Sequence, residues 1–196
     1  TSPQDGEDLT ANKKSTFTGT TAQVLGGSAV DTVFVNVGTE QLVASGTTNW
    51  TLEWKAPLND TDITLPVTAI ARTTAGDTAM TAISVNVVRE PVAITFPDDG
   101  DLVDSDVGWV VTGVAWADLF SATVDSVVLH VAWDDTTTTL PANRTNDWDV
   151  IWYTPVVEAN TSARLTARAF AGLTYPDGVP TWTESHADSI SVTVKP

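Results

Sequence analysis

Hydrophobic and polar residues alternate with a period of two in several short segments of the chain. In residues 30–37, Val33, Val35 and Val37 fall on one face, while polar residues such as Asn36 fall on the other. Because successive side chains of a strand point to opposite faces of a sheet, each such segment predicts a strand with one buried face. Apolar residues nowhere keep the spacing of an amphipathic helix over three turns. The pattern therefore predicts an all-β chain.

The chain contains the same pattern of strands twice. The offset between matching blocks grows from 94 to 98 and then to 107 residues, and each increase falls between blocks. Loops tolerate such insertions and strands do not. The repeat therefore predicts two domains, residues 1–89 and residues 90–196. The matching blocks are 3–6 (PQDG) with 97–100 (PDDG), 30–35 (VDTVFV) with 124–129 (VDSVVL), 50–54 (WTLEW) with 148–152 (WDVIW), and 83–87 (ISVNV) with 190–194 (ISVTV).

One strand of each copy carries two tryptophans on the same face. Trp50 and Trp54 share a face in the first copy, and Trp148 and Trp152 share it in the second. The next matching block presents smaller side chains, as in residues 67–71 (VTAIA). Large rings on one strand and small side chains on another interdigitate across a β-sandwich about 10 Å thick. These four indole rings are therefore predicted to form the structural core.

Each copy resembles an immunoglobulin-like sandwich. About seven short strands in roughly 100 residues is the size and rhythm of that fold. The opening Pro-x-Asp-Gly, a Thr-Gly in the second strand, the tryptophan strand and the closing Ile-Ser-Val-x-Val are similar to the cysteine-free, Big-type immunoglobulin-like repeats of bacteria and archaea. The resemblance covers nearly the whole chain. It implies two tandem immunoglobulin-like sandwiches from a large cell-surface or surface-layer protein, and it implies the fold more sharply than the function.

The junction between the two copies is short. Residues 88–92 (VREPV) contain Pro91 and no run of glycine or serine. Since proline restricts the backbone, a connection of about four residues is expected to act as a short, semi-rigid linker. The sequence predicts an elongated pair of domains.

The first strand of the second copy has no full counterpart in the first copy. Residues 92–96 (VAITF) precede Pro97, whereas only Thr1 and Ser2 precede Pro3. The interpretation we favour is a piece of a longer tandem array. Two alternatives stay open: another subunit supplies the strand, or the first copy uses a short edge strand. Because an open edge invites pairing, neighbours are expected in the native assembly.

Composition and charge narrow the function classes. Nine basic residues against 25 acidic ones give a formal net charge of −16, so nucleic acid and anionic membranes are not expected as partners. The chain contains no run of about 18 apolar residues, so no membrane-spanning helix is predicted. With no Cys, two His and no catalytic motif, the chain is not expected to be an enzyme. Glu184, His186 and Asp188 alternate in residues 174–188, which we interpret as an insertion with a solvated polar face.

Acidic residues cluster in the opening turn of each copy. Calcium takes about six to eight oxygen ligands, and clustered carboxylates in a loop can supply several of them. The alternative is a solvated turn, since Asp is itself a turn residue. The candidate calcium ligands are Asp98, Asp99, Asp101, Asp104 and Asp106 in the second copy and Asp5, Glu7 and Asp8 in the first.

Four Asn-x-Ser/Thr sequons are candidate glycosylation sites. Two of them fall in matching loops that follow the tryptophan strand. Glycosylation at these positions requires a source organism that attaches glycans to Asn; otherwise they are ordinary surface residues. The four positions are Asn49, Asn59, Asn143 and Asn160.

Further aromatic residues offer an alternative function. Trp133 and Trp182 have no Trp partner in the other copy, and Tyr175 lies near Trp182 in the sequence. Exposed rings can stack on sugars, so these three are candidates for a carbohydrate site; otherwise they fill cores and junctions. We expect Trp182 to be the most exposed of them.

Together these features favour a non-catalytic extracellular module of a cell-surface, surface-layer or filament protein. It would act as a stiff spacer and association unit, as in an adhesin stalk. Its expected partners are neighbouring copies of itself or adjacent domains of a longer chain, and surface glycans where aromatic rings are exposed. The alternative is a carbohydrate-binding module.

Overall fold

The computed structural model describes residues 2–22, 27–175 and 178–196. The chain divides into two compact units, Thr1–Arg89 (unit 1) and Glu90–Pro196 (unit 2). Among the described residues the regular elements are strands, apart from short 3₁₀ turns such as Ala117–Leu119. None of the described helical turns is long and apolar enough to cross a membrane. The all-β prediction is confirmed.

Unit 1 is a sandwich of two sheets. Its described strands are β1 Glu7–Thr10, β2 Lys14–Thr20, β3 Val30–Val37, β4 Glu40–Val43, β5 Asn49–Lys55, β6 Ile63–Thr73 and β7 Thr78–Val88. Five of them form one sheet in the order β1-β7-β6-β3-β4, and β2 pairs with β5 in the smaller sheet. Neighbouring strands are antiparallel except β1 and β7, which run parallel.

Among the described residues, unit 2 repeats this arrangement with one strand more. Its strands are β8 Val92–Phe96, β9 Leu102–Asp104, β10 Gly108–Ala115, β11 Val124–Trp133, β12 Thr136–Pro141, β13 Asp147–Tyr153, β14 Thr161–Ala171 and β15 Glu184–Lys195. The larger sheet has the order β9-β15-β14-β11-β12, with β9 and β15 parallel. The smaller sheet is β8-β10-β13, so β8 is the addition. Both units are immunoglobulin-like sandwiches, as predicted.

The period-two pattern decides which side chains enter each core. In β3, Val33, Val35 and Val37 are buried while the residues between them are partly exposed. Trp50 and Trp54 are buried in the core of unit 1, and Trp148 and Trp152 occupy the same positions in unit 2. Each strand therefore gives one face to the core and one to the surface, as half-buried antiparallel sheets do.

The repeated Thr-Gly dipeptide makes room for a tryptophan. Gly19 of β2 lies opposite Trp50 of β5, and Gly113 of β10 lies opposite Trp148 of β13. A Cβ at either glycine would overlap the indole ring of the Trp beside it. Glycine is needed here because the ring lies across the neighbouring backbone.

The last strand differs from the sequence interpretation of residues 174–188. β15 begins at Glu184 and pairs with β14 from that residue onward. With the offset of 107 residues its start matches residues 77–81 at the beginning of β7, so it is no insertion. Asp188 is buried, with 8% of its surface exposed, and is not part of a solvated face. The alternating polar residues suggested an insertion with a solvated face, but pairing with a long central strand places them in the sheet.

Candidate functional site

The opening turn of each unit is the corner where the chain passes from one sheet to the other. The peptide bonds before Pro3 and Pro97 are cis. Gly6 and Gly100 follow with φ of +76° and +87°, a backbone conformation that favours glycine. Beyond this corner, β1 and β9 pair in parallel with the last strand of their unit. The repeated Pro-x-Asp-Gly is therefore a sheet-crossing motif.

The Asp of this motif binds the last strand, and we call this contact the carboxylate clamp. Asp5 Oδ1 accepts hydrogen bonds from the backbone N–H and the hydroxyl of Ser84, at 2.8 and 2.9 Å. Asp99 Oδ1 accepts one from the backbone N–H of Ser191 at 2.8 Å. The backbone N–H and then the hydroxyl of Ser84 lower the pKa of Asp5. The clamp joins the start of each unit to its end.

A second carboxylate closes each corner from inside. Glu7 Oε2 accepts a hydrogen bond from the backbone N–H of Gln4 at 2.6 Å. Asp101 Oδ2 accepts the matching bond from the backbone N–H of Asp98 at 2.8 Å. These acidic residues serve as turn acceptors, the role that Asp commonly has in loops.

Two of the remaining candidate calcium ligands are engaged in separate contacts. Asp8 accepts a hydrogen bond from the Asn86 side chain at 2.9 Å, and Asp104 pairs with Lys195 at 3.1 Å. Asp106 has a φ of +56° just before β10. Within the described residues, no three His, Asp or Glu side chains form a group that could hold a metal ion. Calcium stays a prediction, which thermal melting with millimolar calcium and with chelator would test.

The sequons occupy different environments. Asn49 and Asn160 are exposed, and Asn59 is half-buried. Asn143 is exposed, but its side-chain amide donates a hydrogen bond to Asp149 at 2.9 Å. This bond is the main cause of the lowered pKa of Asp149. Glycosylation stays a prediction, and intact-mass measurement of material from the source would test it.

The candidate carbohydrate residues are not equally accessible. Trp182 is half-buried and its ring lies 5.2 Å from that of Phe170. Trp133 is half-buried against the core of unit 2. Tyr175, rather than Trp182, is the exposed ring of the three, with 64% of its surface accessible. The carbohydrate alternative stays a prediction that oligosaccharide quenching of Trp fluorescence would test.

The alternating polar residues at the start of β15 bind their neighbours. Glu184 accepts hydrogen bonds from the hydroxyl and the backbone N–H of Ser121, and His186 Nε2 lies 2.8 Å from its other carboxylate oxygen. The Ser121 hydroxyl and then His186 lower the pKa of Glu184 to about 2. Asp188 Oδ2 accepts a hydrogen bond from the backbone N–H of Ile94 at 2.8 Å. Glu184 and Asp188 therefore join β15 to other segments of unit 2, whereas the contact between His186 and Glu184 lies within β15.

An apolar groove, which we call the unit 1 groove, lies between the two sheets of unit 1. It encloses about 470 Å³, within the range of ~300–1,000 Å³ that ligand pockets occupy. Its apolar lining includes Val30, Val33, Trp50, Ala69, Ala71 and Met80.

Comparison with known proteins adds no family. No known protein family and no curated protein matches the chain. Three solved structures are similar over nearly its whole length. One is Bacteroides ovatus mixed-linkage glucan utilization locus SGBP-B in complex with a mixed-linkage heptasaccharide, at 13% identity over 98% of this chain and 45% of that chain, with a TM-score of 0.25. Another is chimeric titin Z1Z2 functionalized with a KLER exogenous peptide from decorin, at 9% identity over 98% of this chain and 93% of that chain, with a TM-score of 0.31. The third is PcdhgB3 EC1-4, at 12% identity over 100% of this chain and 49% of that chain, with a TM-score of 0.31.

The chain spans about half the length of two of these structures, 45% of the first and 49% of the third. Their TM-scores of 0.25 and 0.31 are too low to support an argument about role. The assignment of two immunoglobulin-like sandwiches therefore rests on the strands and sheets of this chain.

Proposed function

We propose that the chain is a non-catalytic, extracellular structural and adhesive module of a cell-surface, surface-layer or filament protein. In this role it acts as a stiff spacer that carries tension, and it associates with neighbouring copies or with adjacent domains of a longer chain. The observation that carries the proposal is that each unit pairs a strand near its beginning, in parallel, with its last strand.

Parallel pairing of these strands suits a module under tension. When the two ends of a unit are pulled apart, an early strand and a parallel last strand slide along each other. The hydrogen bonds between them then share the load, whereas a hairpin opens one bond at a time. In unit 2 the pairing extends beyond β9, because Thr193 donates to Asp101 at 2.8 Å and Ser105 donates to Lys195 at 2.9 Å.

The carboxylate clamp reinforces the same pair of strands. In unit 1, Gly6 donates its backbone N–H to the Ser84 carbonyl at 2.8 Å beside the Asp5 contact. In unit 2, Gly100 donates to the Ser191 carbonyl at 2.7 Å beside the Asp99 contact. Charged acceptors make stronger hydrogen bonds than neutral ones. The net charge of −16 supports solubility at the high local concentration of an assembly.

Pulling a single molecule by its two ends tests this function. The expected result is two rupture events, one for each unit. Ser105→Pro removes the N–H that donates to Lys195, so we expect it to lower the rupture force of one unit. Thr137→Pro is the matched control, because it removes one N–H from β12, which lies at the other edge of the same sheet.

Equal rupture forces for the two proline variants would contradict the proposal that the pairing of β9 with β15 carries tension. So would rupture of the wild-type units at forces no higher than those that open an isolated hairpin. Chemical denaturation of both variants serves as the second measurement, since it separates a loss of overall stability from a loss of mechanical resistance.

A further inference from the structure

The outer face of the larger sheet of unit 2 carries two arginines that have no partner among the described residues. Arg164 is exposed and Arg168 is half-buried, and both lie on β14. Neither side chain forms an ion pair or a hydrogen bond with any described residue. Four other basic side chains each pair with an aspartate, namely Arg72, Arg89, Arg144 and Lys195. Arg164 and Arg168 are therefore free to bind a group outside the chain.

No carboxylate lies in the sheet rows that contain these arginines. Thr166 lies between them on β14, with His130 opposite it on β11 and Ser189 opposite it on β15. The hydroxyl groups of Thr166 and Ser189 share a hydrogen bond of 2.8 Å. The three cross-strand rows through Arg164, Thr166 and Arg168 contain no Asp or Glu on β12, β11 or β15. This surface, which we call the arginine face, is therefore locally cationic.

Unit 1 has no equivalent of the arginine face. At the offset of 98 residues, Arg164 and Arg168 correspond to Pro66 and Ile70 of β6, and neither of these is charged. β6 has the same neighbours in its sheet as β14 has in unit 2. Because both sheets form with the same strand order, strand pairing does not require a charge at these positions. Binding is a role that accounts for the two arginines.

The hairpin at one end of the same sheet carries the opposite charge. Asp134 and Asp135 form the two-residue turn between β11 and β12, and both are exposed. Neither carboxylate pairs with any described residue. Asp134 has a φ of +46°, a conformation that Asp adopts more readily than most residues. This acidic turn therefore presents two adjacent carboxylates beyond the ends of the strands.

We propose that the arginine face binds the acidic turn of a second copy of this chain. A guanidinium group recognises a carboxylate through two parallel, charge-assisted hydrogen bonds. Arg164 and Arg168 lie four strand residues apart, roughly 13 Å, so a carboxylate above Thr166 has a guanidinium group on each side. At about 0.15 M ionic strength the screening length is about 8 Å, so charges close to the contact outweigh the net charge of −16.

The proposed contact joins two different surfaces of unit 2. Such heterologous contacts repeat from one copy to the next and build open chains. The inference rests on the proposed association with neighbouring copies, because it names the surfaces through which they meet. It does not depend on the tension proposal, which concerns the pairing of β1 with β7 and of β9 with β15.

Charge reversal on the two surfaces tests the contact. NMR diffusion of the whole chain at about 0.15 M salt should show self-association with a dissociation constant at or below about 1 mM. Arg164→Glu with Arg168→Glu should weaken it at least about tenfold, because like charges then meet, and so should Asp134→Lys with Asp135→Lys. A mixture of the two double variants should associate like the wild type, since each supplies the charge that the other lacks.

Two further double variants are the matched controls. Arg72→Glu with Arg144→Glu makes the same change in net charge at arginines that already pair with aspartates, and it should weaken association by less than about threefold. Asp60→Lys with Glu158→Lys reverses exposed acidic residues elsewhere in the chain. It should not weaken association, because it lowers the repulsion between two acidic copies.

Four results would overturn the proposal. The first is no self-association at several millimolar protein, and the second is unchanged association in both charge-reversed surfaces, which would place the contact elsewhere. The third is a mixture of the two double variants that fails to associate. The fourth is binding of a uronic-acid oligosaccharide, lost in Arg164→Glu with Arg168→Glu, by a chain that does not self-associate; it would identify an acidic glycan as the occupant. The rupture forces of the single molecule would be unchanged by any of them, so they leave the tension proposal intact.

Discussion

Unit 1 and unit 2 share a strand order, a tryptophan pair and a sheet-crossing corner, yet they differ in how completely their cores are closed. Trp148 has 1% of its surface exposed, and its counterpart Trp50 has 8%. Ala167 and Ala169 are fully buried in unit 2, and the corresponding Ala69 and Ala71 of unit 1 are half-buried. The inward pattern is the same in both, and unit 2 has β8 beside these residues, for which the described residues of unit 1 provide no counterpart strand.

The comparison teaches that one edge strand changes the environment of residues on several other strands. Val92 and Ile94 of β8 reach the core cluster of unit 2, and Asp188 fastens β8 through the backbone of Ile94. Because the packing of a sandwich is shared between two sheets, an edge strand of one sheet also covers side chains of the facing sheet.

The largest expected effect is the loss of a core tryptophan. Trp148→Ala should lower the free energy of unfolding of unit 2 by about 3–5 kcal/mol, because a large cavity forms in a closed core. Trp50→Ala should cost unit 1 less, since the ring already borders the groove. Urea denaturation followed through the NMR signals of each unit measures both losses.

A loss below about 1 kcal/mol for Trp148→Ala would contradict its place in the core. Equal losses of unfolding free energy for Trp148→Ala and Trp50→Ala would contradict the difference in core closure between the two units. Trp182→Ala is the matched control, because this half-buried ring lies outside the core cluster of unit 2, and its removal should cost clearly less.

Substitution of the glycines beside Trp50 and Trp148 also tests the difference in core closure between the two units. Gly113→Ala should destabilise unit 2 by about 1–3 kcal/mol, since its methyl group would overlap both the Trp148 ring and the Ala93 carbonyl of β8. Gly19→Ala should cost less, because the nearest atoms there all belong to Trp50, which can shift toward the groove. Thermal melting followed through signals of each unit measures the loss of stability in both variants. A larger loss for Gly19→Ala than for Gly113→Ala would contradict this prediction.

The contact that fastens β8 should have an intermediate effect. Asp188→Ala leaves the buried N–H of Ile94 without this acceptor, so unit 2 should lose about 1–3 kcal/mol. Asp188→Asn keeps an acceptor oxygen and should lose less. Thr81→Ala, at the matching position of unit 1, should have little effect on the urea midpoint; a loss as large as that of Asp188→Ala would refute the assignment.

The smallest expected effect is a dependence of stability on pH at the start of β15. The pKa of Glu184 is about 2 in the folded chain, against an ordinary value of 4.5. A depressed folded pKa stabilises the folded state above the unfolded value, and this contribution disappears as the pH falls from about 4.5 to about 2. Glu184→Gln should therefore flatten part of the fall in melting temperature of unit 2 over that range.

A variant of the donor provides the control for that titration. Ser121→Ala removes the hydroxyl that contributes most to the lowered pKa, so the carboxyl of Glu184 should titrate closer to 4.5 in an NMR pH series. An unchanged titration of Glu184 in Ser121→Ala would show that another group controls it.

Much of the fold could be predicted from the sequence, because strand periodicity and internal repeats are local properties. The alternation of Val33, Val35 and Val37 identified a core face, and the repeated blocks identified matching strands. The interpretation of residues 174–188 was wrong in part, because the polar residues from Glu184 onward were assigned to an insertion with a solvated face. Their strand conformation depends on pairing with β14, which sequence spacing does not reveal.

The site was less predictable. The acidic residues of the opening turns were noted as candidate calcium ligands, but the sequence did not indicate that Asp5 and Asp99 accept hydrogen bonds from Ser84 and Ser191. The two contacts join residues that are 79 and 92 positions apart in the chain. Side chains that meet across such distances are brought together by topology alone.

The sequence by itself determined that the chain is all-β, that its pattern occurs twice, and that the paired tryptophans Trp50, Trp54, Trp148 and Trp152 face inward. These features follow from the alternation of side chains along a strand, which needs no knowledge of neighbours. Only the tertiary structure decided which strands share a sheet, that the Pro-x-Asp-Gly corner crosses between sheets, and that Trp50, Ala69 and Ala71 line a groove in unit 1. Those features depend on hydrogen bonds and packing between distant segments, which the order of residues along one strand does not specify.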